Sequence, residues 1–150
     1  MDLVSIKQLK MIFLMEVKVE RSHVERVMEK IKFEGLFTVD SVRGGGGLAL
    51  LWKEKDWISL ISFSRNHIDV KVNILGMVLW RLTCFYGFPE RHNRKDSWNL
   101  LKNLSIQSNL PWCCIGDFND LLIQSEKKGK VRHPNYLIQG FRDTVEHCGL

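Results

Sequence analysis

Between Leu48 and Tyr86 the chain carries four short β-rich runs in close succession: Leu48–Trp52, Trp57–Phe63, Ile68–Ile74 and Val78–Tyr86. Glycine or polar punctuation separates them, so the middle of the chain reads as a β-meander. Within the third run His67-Ile68-Asp69-Val70-Lys71-Val72 alternates strictly, which predicts an antiparallel strand with one wet face. Helical periodicities flank this region. Ser22 followed by Glu25 makes a capping box ahead of Val24, Val27, Met28 and Ile31, and Trp98, Leu101, Leu104 and Ile106 mark a helix between Arg91 and Gln107. Asn135 can cap a further helix bearing Leu137, Ile138, Phe141 and Val145 that ends near Gly149. Met11–Met15 reads as a strand buried on both faces, Leu36–Val39 as another strand, and Trp112–Gly116 as a buried strand. Leu3, Val4, Ile6 and Leu9 suit the end of a helix. Together these elements predict one α/β domain with a mixed sheet or two packed sheets.

A composition of 45% hydrophobic and 26% charged residues over 150 positions belongs to a folding chain, not a disordered one. The best apolar run, Met11–Met15, is bracketed by Lys10 and Glu16 and is too short to span a membrane. Lys7 and Lys10 interrupt any leader-like stretch, so the expected location is intracellular, nuclear or cytoplasmic. Cys84, Cys113, Cys114 and Cys148 include no C-x-x-C pair, which argues against a disulfide framework or a zinc site and predicts four buried thiols. Twenty-two Lys and Arg against seventeen Asp and Glu leave a net charge of +5, a mild pointer to a polyanionic partner.

The sharpest local signal is Cys113-Cys114-Ile115-Gly116-Asp117-Phe118-Asn119-Asp120, an apolar strand that runs into Gly-Asp-x-Asn. In extended chain Asp117 and Asn119 share a face while Phe118 points back to the core. A carboxylate beside an amide suits water activation near a phosphate, one group taking a proton and the other holding an oxygen. Turn formation is the competing role for both residues. Glu16 also ends an apolar strand, where it is either a solvated terminus or a ligand for a hard cation such as Mg²⁺. Tyr86 ends the Val78–Tyr86 run and offers either a phenol to a phosphate or an aromatic ring to the core. Gly44–Gly47 lacks the Gly-Lys-Ser/Thr of a phosphate loop and reads as a hairpin turn. Lys127, Lys128, Lys130 and Arg132 form either a solvated loop or a contact for a nucleic-acid backbone. The five histidines show no ligand spacing.

In order along the chain, Phe13-Leu14-Met15-Glu16-Val17-Lys18, Gly45-Gly46-Gly47-Leu48-Ala49-Leu50-Leu51-Trp52, His67-Ile68-Asp69, Trp80-Arg81-Leu82-Thr83 and Tyr86-Gly87-Phe88-Pro89 are followed by Arg94 and Trp98. Gly116-Asp117-Phe118-Asn119-Asp120, Ser125-Glu126-Lys127, Gly140-Phe141-Arg142-Asp143 and Cys148-Gly149-Leu150 complete the set. This series closely resembles the endonuclease/exonuclease/phosphatase family, specifically the domain at the front of plant non-LTR (LINE-type) retrotransposon polyproteins. The resemblance implies a four-layer α/β sandwich of the DNase I-like type that hydrolyses phosphodiesters with Mg²⁺ or Mn²⁺ and nicks DNA. It implies Glu16 as metal ligand, Tyr86 as a phosphate-contacting phenol, Asp117 as the residue that positions or deprotonates water, and Asn119 as an oxyanion donor. Val17, Cys84 and Asp120 stand where Thr, Gly and Glu are usual.

Family members begin with a strand holding a Trp-Asn-Cys-Arg-like motif and finish with strands ending in Ser-Asp-His. By that comparison residues 1–150 are a single partial domain, with activity expected to be impaired or lost. The alternative is a non-catalytic retroelement remnant that at most binds nucleic acid through a basic surface. The expected partner is DNA, held without sequence preference, with no membrane and no obligate protein partner.

Overall fold

In the computed structural model residues 8–41 and 46–150 are described. The Leu3–Ile6 stretch lies outside these residues, as does part of the Gly44–Gly47 turn. Two sheets stack face to face. The first has three antiparallel strands in the order β1 (Met11–Val17), β3 (Gly47–Trp52), β2 (Gly35–Val39). The second runs β4 (Ile58–Ser64), β5 (His67–Val72), β6 (Trp80–Tyr86), β7 (Trp112–Asp117), antiparallel except for the parallel β6–β7 pair. Helix α1 (Arg21–Lys30) covers the outer face of the first sheet. Helices α2 (Arg94–Ser105) and α3 (Asn135–Cys148) cover the outer face of the second.

The central strand β3 explains the layering. Its apolar run is continuous, so Leu48, Leu50 and Trp52 enter the core between the sheets while Ala49 and Leu51 meet α1. From the second sheet Ile68, Val70, Val72, Leu82 and Cys84 complete that inter-sheet core. The third layer boundary joins Phe85 to Leu101 and Leu104 of α2 and Phe141 of α3.

Several expectations are corrected. Leu48–Trp52 is not part of the meander, which is limited to β4–β5–β6, because its two apolar faces require a place in the middle of the other sheet. Strand β1 is only half-buried, since it lies at a sheet edge with Leu14 exposed. The wet face of β5 is dry at Asp69, which is fully buried under α2, leaving Lys71 as its exposed residue. Strand β7 is an edge strand. Its Trp112 and Cys114 pack on the helices, but Cys113 and Ile115 on the opposite face are exposed. Helix α1 starts at Arg21 with Glu20 at its N-cap and no side-chain cap, so Ser22 lies inside the helix. Pro134, not Asn135, holds the N-cap position of α3, which closes on Gly149 in the left-handed region at φ 69°. Ile106 falls just past α2 and is exposed.

Burial of Asp69 is offset by a network. Arg81 donates from Nε and Nη2 to the Asp69 carboxylate at 2.8–3.0 Å, and both side chains are 0% exposed. Thr83 Oγ1 donates to Asp69 at 2.7 Å, Arg81 Nη1 donates to Leu104 O at 2.7 Å, and Trp112 Nε1 donates to Thr83 Oγ1 at 2.8 Å. The guanidinium also lies over the Trp112 ring at 5.2 Å. This ties β5, β6 and β7 to α2.

Candidate active site

The strand order brings Glu16, Tyr86 and Asp117 to one end of the sandwich, with Asn119 in the turn that follows Asp117. Tyr86 is the last residue of β6 and lies in register with Asp117, the last residue of β7. Leu82, Cys84 and Tyr86 alternate onto the inter-sheet side, so the phenol points toward the first sheet. There it donates to Glu16 Oε1 at 2.7 Å. Simple alternation would put Glu16 on the face of Ile12 and Leu14, away from Tyr86. A bulge between Leu14 and Val17 prevents this: Glu16 takes φ 55°, and its side chain turns to the phenol. Gly46 lies so close that a Cβ there would stand 2.1 Å from Glu16 Cα, which is why this position tolerates no side chain.

Asn119 departs from the expected geometry. The chain leaves β7 through Gly116 at φ 140°, where a Cβ would strike Phe85 O at 1.8 Å, and Asn119 itself takes φ 56°. Asn119 N donates to Asp117 Oδ1 at 2.8 Å, and Asn119 Nδ2 donates to Gly87 O at 2.9 Å. The Asp117 carboxylate therefore closes the turn and the Asn119 side chain ties that turn to the loop after β6, while each retains spare capacity: Asp117 its second oxygen and Asn119 its second amide hydrogen. Phe118 points inward as expected, with its ring centroid 5.4 Å from Phe85 and 5.5 Å from Phe141.

Behind this turn lies a polar cluster that contains none of the four candidate residues' side chains and that no sequence motif marks as a site. Buried Arg94 donates to Pro89 O at 3.0 Å and to Asn119 O, clamping the loop after β6 to the loop after β7. Trp98 Nε1 donates to Asp120 Oδ2 at 2.9 Å, and His133 Nε2 lies 3.8 Å from Asp120 Oδ1. Burial pushes the Asp120 carboxyl up and His133 down from their ordinary values. Arg94 and Trp98 are four apart on α2, and that i, i+4 spacing is the signal that places them on one face.

Two shallow clefts meet at Pro89. One, of about 320 Å³, includes Asp40, Arg65, Asn66, Tyr86, Phe88 and Glu90. The other, of about 500 Å³, includes Arg91, Arg94, Asp117, Asn119, Lys127 and Lys128. Lys127 and Lys128 of the basic run thus border Asp117.

The hydrogen bond to Glu16 raises the Tyr86 phenol from 10.0 to about 12, with burial and the Glu16 charge adding to it. Since the folded value lies above the unfolded one, this stabilisation is complete below pH 10 and is lost as pH rises through about 12. Glu16→Gln is expected to bring the phenol back toward its ordinary range in a spectrophotometric titration, with Tyr86→Phe identifying the signal. An unchanged midpoint in Glu16→Gln would contradict the assigned cause.

A divalent cation fits the donor chemistry here. Mg²⁺ takes one or two carboxylates and keeps several waters, and exposed Glu16 with Asp117 nearby supplies hard oxygen donors of that kind. Among the described residues no group of three or more His, Cys, Asp or Glu side chains is placed to hold a metal ion, so any cation here would rest on Glu16 and waters.

This architecture is the endonuclease/exonuclease/phosphatase (DNase I-like) fold. The human Nocturnin catalytic domain with bound sulfate has the same fold at a TM-score of 0.56 and 13% identity, covering 79% of this chain and 54% of that one. ANGEL2, described as a 2′,3′-cyclic phosphatase and solved with adenosine-2′,3′-vanadate, aligns at a TM-score of 0.53 and 14% identity, covering 79% of this chain and 42% of that one. The chain thus spans about half the length of these solved structures. No family model matches it, and no curated protein matches it in sequence. Among the described residues no helix is long and apolar enough to cross a membrane.

Proposed function

We propose that this chain carries part of a divalent-metal-dependent phosphodiester hydrolase that acts on nucleic acid. The observation that carries the proposal is the Tyr86–Glu16 hydrogen bond, formed where Tyr86 lies in register with Asp117. Glu16, with waters, would hold Mg²⁺ or Mn²⁺, and the bound cation would supply Lewis-acid polarisation of a phosphoryl oxygen. Tyr86, protonated at neutral pH, donates a hydrogen bond to Glu16 or to a phosphate oxygen. Asp117 takes a proton from the attacking water through its free oxygen, and the second amide hydrogen of Asn119 serves the developing oxyanion. The finer reading, a DNA-nicking endonuclease of a plant LINE-type retroelement, rests on the sequence resemblance described above.

A second reading is a non-catalytic nucleic-acid binder. It is favoured by the engagement of Asp117 Oδ1 in the turn it forms with Asn119 N and of the Asn119 side-chain amide with Gly87 O of the loop after β6. Both readings place DNA along Arg91, Lys127 and Lys128. Three such phosphate contacts should weaken binding roughly 40-fold between about 50 and 200 mM salt, independent of sequence. Fluorescence anisotropy at the two salt concentrations tests this, and equal affinities would overturn it. Metal-dependent cleavage of a labelled oligonucleotide, lost on chelation, separates the hydrolase from the binder.

A further inference from the structure

The two clefts that meet at Pro89 differ in character, and the difference specifies what each can hold. Beside Asp117 the accessible cations Arg91, Lys127 and Lys128 outnumber the accessible carboxylates Asp117 and Glu126, which suits a phosphate backbone. On the Tyr86 side the balance is reversed. Asp40 and Glu90 face a single cation, Arg65, whose guanidinium lies 5.3 Å from the Phe88 ring centroid. A phosphate there meets two carboxylates. A neutral planar heterocycle meets instead the outer plane of a guanidinium that is itself backed by the Phe88 ring, in a cleft that Asp40 and Glu90 help to line.

The surface is also rigidly attached to the candidate centre. Arg65 sits in the two-residue turn between β4 and β5. The next residue, Asn66, donates from Nδ2 to Tyr86 O at 2.8 Å and accepts from Tyr86 N at the same distance. Phe88 follows Tyr86 by two residues, and its backbone N–H donates to Ser97 Oγ of α2 at 2.8 Å. Both halves of the platform are thus fixed to the strand end that bears the phenol.

We infer that the Arg65–Phe88 cleft seats an unpaired nucleobase next to the phosphodiester, so that the preferred substrate is a single strand or a duplex distorted at that nucleotide. This deepens the hydrolase reading and rests on it. A base in a regular duplex is stacked and paired on its own strands and is not free to enter such a cleft.

The test measures affinity of the whole chain for three labelled probes at low salt without added Mg²⁺. They are a single-stranded oligonucleotide, its duplex, and a strand of equal length made of abasic residues. The single strand should bind tightest. Phe88→Ala should weaken it roughly tenfold, within the range for loss of one stacked base, and leave the duplex and abasic strand unchanged. Phe88→Leu, which keeps apolar volume, should behave like Phe88→Ala, whereas Phe88→Tyr should retain parental affinity. Single-strand affinity unaffected by Phe88→Ala, or an equal loss for all three probes, overturns the platform. If salt-sensitive binding persists while the Phe88 variants match the parent, the platform alone falls. If no probe binds in a salt-sensitive manner, the hydrolase reading falls with it.

Discussion

Asp117→Asn should lower Mg²⁺-dependent cleavage of an oligonucleotide by a factor of roughly 10²–10⁴, the range for loss of a positioned general base. Asparagine is the informative replacement because its side-chain oxygen still accepts the bond from Asn119 N, keeping the turn while removing the proton acceptor. Its melting temperature should match the parent. The measurement is a single-turnover rate with Mg²⁺ or Mn²⁺ in excess. Cleavage by Asp117→Asn at the parental rate would remove Asp117 from the chemistry. A parent that binds DNA but cleaves nothing with either cation would favour the binding-only reading.

The largest stability effect is expected far from that site, at Asp69. Asp69→Ala leaves the Arg81 guanidinium buried without its carboxylate, and breaking a buried pair in this way costs about 3–5 kcal/mol. For a domain of this size that corresponds to a fall in melting temperature of roughly 6–20 °C. Glu25→Ala provides the control: its pair with Arg21 at 2.8 Å is surface-exposed, and its loss should cost less than about 1 kcal/mol. Equal melting temperatures for the two variants in differential scanning calorimetry would contradict the role given to the buried network. The neighbouring His67, held between Ser62 Oγ at 3.1 Å and Ser64 Oγ at 2.8 Å, adds a pH dependence. Burial depresses its ionisation in the folded state, so its contribution is present above the ordinary histidine range and is lost as pH falls.

Asp69 also marks where sequence pattern stops being informative. Alternation in His67–Val72 correctly separates two faces, but it cannot say that α2 covers one of them. The clue was chemical: Arg81 supplies the opposite charge on the adjacent strand, beside Thr83, the ladder partner of Asp69. Element types were largely legible, because long apolar periodicities such as that of α3 dominate local choice. Sheet membership was not, since Leu48–Trp52 reads alike in a meander or in the centre of another sheet. At the site, strand-end positions drew attention to Glu16, Tyr86 and Asp117. The bulge that turns Glu16 toward the phenol left no mark in the sequence beyond Gly46, thirty residues away. Extended chain would put Asn119 on the face of Asp117, and its positive φ breaks that alternation.

The uncovered face of β7 has a consequence for the chemistry of the thiols. Cys84 is pushed up to about 12 by burial, and Cys114 and Cys148 are also raised chiefly by burial, so all three resist forming the thiolate that attacks electrophiles. Cys113 alone stands exposed, on the same side of the strand as Asp117 and four residues before it. An oxidant or alkylating reagent therefore meets a sulfur that sits within a strand's length of the candidate centre. A probe attached there would report on that end of the sandwich without entering the packed layers.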